Sequence, residues 1–90
     1  MRYIFYYEHG CLVCSEVESV LESWLPKQYR KIRYSKSHIP GKSVIHLPDG
    51  PEVVDSETIP AVPALYDQAA QTLYVGDRSI YGFLRVEGEA

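Results

Sequence analysis

Ninety residues with 46% hydrophobic and 23% charged side chains describe one small folded domain with a modest core, and exclude a disordered tail. The formal charge is only −3, and the basic residues are scattered apart from a loose cluster at Lys27, Arg30, Lys31 and Arg33. Phosphate recognition needs a concentrated basic face, so nucleic acid is not an expected partner.

Residues 2–7, from Arg2 to Tyr7, are apolar and aromatic beyond the first and predict a central strand buried on both faces. The chain turns polar at Glu8, too soon for a secretory leader and far short of a membrane span. No membrane partner is expected, and the expected compartment is the cytoplasm. After the turn Glu8-His9-Gly10, apolar positions from Cys14 through Val17, Val20, Leu21, Trp24 and Leu25 follow helical spacing, with Glu16, Glu18 and Glu22 off that stripe. Pro26 ends the helix. Residues 31–35 alternate and predict a second strand, which makes the opening a βαβ unit with a parallel pair.

Proline and glycine punctuate residues 36–60 at Pro40-Gly41, Pro48-Asp49-Gly50-Pro51 and Pro60. Only Val44–Leu47 and Glu52–Glu57 remain as short pieces, in an irregular or helical stretch. Residues 64–67 and 72–75 predict an antiparallel hairpin around a turn at 68–71. Asp77 can cap a short final helix carrying Ile80, Phe83 and Leu84 on one face, weakened by Gly82. Eight tyrosines suit half-buried strands.

The chemistry concentrates at Cys11-Leu12-Val13-Cys14, between the buried strand and the first helical turn. The thiolate is the reactive form of cysteine, and a helix N-terminus offers free N–H groups and partial positive charge to stabilise it. Cys11 stands at the turn and is the expected attacking thiol. Cys14 lies three residues before Val17 on the apolar stripe and is the expected shielded, resolving thiol. Two other readings compete: a purely structural pair, and a zinc site in which His9 and His38 or His46 join the cysteines. A second paired motif, usual for structural zinc, is missing from the sequence, so no metal site is assigned. His9 is either a local proton carrier for Cys11 or a solvated turn residue. Glu16 is expected in the first helical turn, where its charge opposes the thiolate.

Three segments together resemble the glutaredoxin branch of the thioredoxin superfamily. Ile4 to Cys14 is similar to that family's opening strand and CxxC, Ala61-Val62-Pro63-Ala64-Leu65-Tyr66 to its Thr-Val-Pro segment, and Tyr74-Val75-Gly76-Asp77 to the turn opening its last helix. The resemblance implies a thioredoxin-like α/β fold over residues 1–90: β-α-β, then β-β-α, in a four-stranded mixed sheet with flanking helices. It implies a cis Val62–Pro63 bond facing the CxxC, and substrate contacts at Val62, Pro63, Gly76 and Asp77. The activity implied is thiol–disulfide exchange on protein or glutathione mixed disulfides, by a monomer without a bound cofactor. Glutathione or a thioredoxin-reductase-type protein is the implied reductant. The sequence departs from the pattern at Glu8, where many members carry a basic residue, at Ala61, and at Leu12-Val13, where Pro-Tyr is common; all bear on glutathione recognition. The rival reading is a binding module whose CxxC is redox-inert or holds a metal such as zinc.

Overall fold

Alternation along the first strand, β1 (Tyr3–Tyr7), organises the molecule. Side chains on a strand point to opposite faces in turn, so Tyr3, Phe5 and Tyr7 face one side and Ile4 and Tyr6 the other. The computed structural model that shows this describes the backbone of residues 1–88 and the side chains through Arg85; the last two positions of the expected domain lie outside it. After β1 come α1 (Leu12–Trp24), β2 (Tyr29–Lys36), β3 (Lys42–Leu47), β4 (Gly50–Asp55), β5 (Ala64–Asp67), β6 (Thr72–Val75) and α2 (Asp77–Gly88). The strands form a single six-stranded sheet in the order β4-β3-β2-β1-β5-β6. β1 and β2 run parallel, with Tyr3 opposite Tyr29 and Tyr7 opposite Arg33. Every other neighbouring pair is antiparallel.

Both helices lie on one face. Cys14, Val17 and Leu21 of α1 and Ile80, Phe83 and Leu84 of α2 share a core with Tyr3, Phe5, Tyr29 and Leu65. The opposite face is built from Ile4, Ile32, Tyr34, Ile45 and Ala64, closed by Ile59 from the β4–β5 connection, and among the described residues no helical side chain enters it. Seven of the eight tyrosines stand on strands, Tyr81 being the exception. Several build the aromatic contacts of the helical layer, among them Tyr74 stacked on Phe83 with ring centroids 4.4 Å apart. Among the described residues, no helix is long and apolar enough to cross a membrane.

This architecture overturns the expected thioredoxin-like fold with its four-stranded sheet and flanking helices: the sheet has six strands and both helices pack on one face. The stretch 36–60 holds two further strands that form a hairpin: β3 and β4 pair from Lys42 opposite Asp55 to Leu47 opposite Gly50, around a two-residue turn at Pro48-Asp49. Pro51 reads in sequence as a strand breaker. It is tolerated because β4 is the sheet edge, where proline's missing N–H breaks no ladder bond. Pro48 suits the second position of a turn and Gly50 the fourth, where φ is +132°. The same signals that argued for irregular chain are therefore the turn and edge chemistry of a hairpin.

The other expected elements appear with shifted ends. β2 runs from Tyr29 to Lys36, beyond the alternating core of residues 31–35. α1 ends before Leu25, whose φ of −129° leaves helical space ahead of Pro26. Asp77 is the first residue of α2 and not its cap; Gly76 precedes it, and the Gly76 carbonyl accepts the Ile80 N–H. A carboxylate there still favours the helix, because the N-terminal dipole end is positive.

Candidate functional site

Cys11 is the N-cap of α1. Its backbone is extended (φ −86°, ψ 111°), and its Sγ accepts the Cys14 N–H at 3.1 Å, the place a serine or aspartate oxygen takes in an ordinary cap. The Cys11 carbonyl accepts the Ser15 N–H, and the Cys11 N–H donates to the Glu8 carbonyl, which closes the Glu8-His9-Gly10 turn. Gly10 holds that turn with φ +81°, a conformation a Cβ would strain.

The two sulfurs stand at disulfide distance with Cα atoms 5.2 Å apart. They differ in environment: Cys14 is 2% exposed within the core, whereas Cys11 is half-buried at its edge. No acidic residue occupies the first turn of α1, because the helix starts at Leu12 and Glu16 falls just past that turn. Glu16 therefore does not stand in the first helical turn as expected.

A cavity of about 170 Å³ opens beside the sulfurs, lined by Tyr7, Glu8, His9, Gly10, Ser15 and Glu18 together with both cysteines. Glu18 is one helical turn after Cys14, so the two share a helix face. Its carboxylate accepts from Lys31 Nζ at 2.9 Å, and that ammonium also lies 5.3 Å from the centre of the Tyr7 ring. The bond to Glu18 holds the Lys31 ammonium above its ordinary pKa. One turn further on, Tyr29 donates to Glu22 at 2.6 Å and ties α1 to β2 again. Burial, then this bond, pushes the Tyr29 phenol upward.

The proline segment borders the same core. The Val62–Pro63 bond is cis, as the resemblance implied. Val62 packs against the core that contains Cys14 and against the opposite face as well. Pro63 is buried, and its carbonyl accepts the Gly76 N–H at 2.8 Å, which joins the Pro63 and Gly76-Asp77 segments. Val62 and Cys11 thus border one core, while none of Val62, Pro63, Gly76 and Asp77 lines the cavity at the disulfide. Sequence reasoning missed Glu18, Lys31 and Ser15. The i, i+4 spacing from Cys14 could have marked Glu18; Lys31 needed the β1–β2 register.

Of the histidines, His9 is exposed and lines the cavity. His46 is engaged on β3, with Ser35 Oγ 3.0 Å from its Nε2 and Arg33 3.5 Å from its Nδ1. Among the described residues, no group of three or more His, Cys, Asp and Glu converges as a metal-ligand set. Comparison of the chain with protein-family models, curated proteins and solved structures finds no match.

Proposed function

We propose that this protein is a glutaredoxin-like thiol–disulfide oxidoreductase working through Cys11 and Cys14. The observation that carries the reading is the pairing of a half-buried cysteine at a helix cap with a fully buried one within bonding reach. A thiolate at Cys11 lies against the N–H of Cys14 and the positive end of α1, where negative charge is stabilised. A structural staple has no need of that placement.

In the exchange, the Cys11 thiolate attacks one sulfur of a partner disulfide. A Cys11–partner bond forms, the partner S–S bond breaks, and the departing thiolate takes up a proton. Cys14 then loses its proton and attacks the Cys11 sulfur, releasing the second partner thiol. The partner gains two electrons and two protons, and the Cys11–Cys14 pair ends as a disulfide. A thiol reductant, glutathione or a thioredoxin-reductase-type protein, returns it to the dithiol. The cytoplasm, where such reductants keep thiols reduced, is the compartment that fits.

Alkylation read by mass tests the proposal. Two labels are expected only after mild reduction, with catalysed reduction of a test protein disulfide by the dithiol form. Two labels without any turnover would turn the assignment to the inert binding module.

A further inference from the structure

We infer that the natural partner is a protein or peptide disulfide flanked by apolar and cationic residues, with free glutathione disulfide a poor substrate; this rests on the exchange reading of Cys11 and Cys14. The first ground is size and shape. Pockets that enclose small ligands run to roughly 300–1,000 Å³, and the cavity at the sulfurs is about 170 Å³. A tripeptide is not enclosed there, so recognition falls to the surface around it. That surface carries two apolar side chains between the cysteines, Leu12 at 81% exposure and Val13 at 41%. Apolar groups displayed at the reacting atoms suit a partner that covers them on docking.

The second ground is charge. On the β2 side Glu18 is neutralised by Lys31, while Arg33, level with Tyr7, contacts the His46 ring and keeps its positive charge. Glu8 lines the cavity and has no ion pair among the described residues. On the α2 side, Glu16 and Asp77 also lack an ion pair among those residues. Both act on Tyr81, which packs against the core containing Cys14. Burial first, and these two carboxylates next, push the Tyr81 phenol upward. Two carboxylates without an ion pair among the described residues, Glu8 at the cavity and Glu16 one helical turn from Leu12 and Val13, repel a substrate bearing its own carboxylates and attract lysine or arginine.

The test uses the reduced full chain with three oxidants: two peptide disulfides identical except for lysine or glutamate flanks, and glutathione disulfide. Exposed charge pairs contribute a few-fold each at most, so the lysine peptide should be reduced about tenfold more efficiently than the glutamate peptide at low ionic strength. High salt should shrink the ratio to about twofold, because exposed charges are screened. Glu8→Gln should lower the low-salt ratio severalfold, and Leu12→Ser should raise KM for both peptides. Equal rates at low salt, a preference for glutamate flanks, or faster consumption of glutathione disulfide would overturn the inference while leaving exchange intact. Failure to reduce any of the three, with both thiols open to alkylation, would remove the exchange reading and this inference with it.

Discussion

Replacing Cys14 by serine should convert a catalyst into a trap. The substitution leaves the Cys14 backbone N–H that donates to Cys11 Sγ, so the cap and the field at the attacking sulfur persist. Attack on a protein disulfide therefore proceeds, and only the second step is lost. In the native chain the resolving sulfur is already within bonding distance of Cys11. Even an effective concentration of about 1 M, far below the ceiling for well-oriented groups, outruns about 1 mM external thiol roughly a thousandfold. The mixed disulfide should accumulate to that extent and appear as a covalent adduct on a gel run without reductant. Cys11→Ser should give no adduct. Serine is a favoured N-cap and its oxygen can accept the same N–H, so the fold should survive and the loss should be chemical. Circular dichroism of both variants checks that survival. An adduct with Cys11→Ser and none with Cys14→Ser would refute the assigned polarity.

Three further outcomes test the fold that holds the site. Asp67 is buried, accepts from Arg2 through both oxygens at 3.0 Å, and also accepts the Ala69 and Ala70 N–H groups. Asp67→Asn should cost about 2 kcal/mol at neutral pH, discounted because Arg2 is half exposed, and lower Tm by roughly 8–16 °C. The bonds from Arg2 hold the Asp67 carboxyl below its usual range. Its contribution is therefore full above the unfolded carboxylate pKa of about 3.9 and fades as pH falls through the folded value; thermal melts in which the gap to Asp67→Asn stays constant down to pH 2 would contradict this. Leu21→Ala empties a fully buried position under α1 and should cost about 2–5 kcal/mol in urea unfolding; a loss under 1 kcal/mol would mean that α1 is not packed there. Gly50→Ala meets no neighbour but must hold φ +132°, so it should lower the urea midpoint by at least about 1 kcal/mol equivalent, and an unchanged midpoint would argue against the β3–β4 turn.

The parts legible in the sequence share one property: their signal is local. α1 announces itself through the Val17–Leu21–Trp24 spacing and Pro26, and the β5–β6 hairpin through two short apolar runs around a polar turn. The cap position of Cys11 follows from where the strand stops and the stripe starts. What stayed hidden depends on partners distant in the chain. Pro51 breaks a central strand but not an edge one, and only the strand order reveals that β4 is an edge. Val53 is 57% exposed and Val44 half-buried, so the β3–β4 hairpin lacks the strict alternation that would have signalled it. The Lys31–Glu18 pair beside the cavity spans thirteen positions and needs the helix rotation and the β1–β2 register together.

The difference between the two sulfurs also follows from a single local choice, the residue at which the helix begins. Cys11, Cys14, Val17 and Leu21 lie at spacings that share one side of a continuous helix. If the helix began before Cys11, both sulfurs would face the core and neither would be offered to a partner. Because Cys11 is extended and serves as the cap, its Sγ folds over the helix end onto the Cys14 N–H, while Cys14 stays with Val17 and Leu21 in the core. Starting the helix at Leu12 also turns Leu12 and Val13 away from the buried stripe, which is why the two most apolar neighbours of the sulfurs are exposed. The Glu8-His9-Gly10 turn sets that starting point through the Cys11 N–H bond to the Glu8 carbonyl and the positive φ of Gly10. An outer attacker, an inner resolver and an apolar contact patch are thus three consequences of one capped helix start.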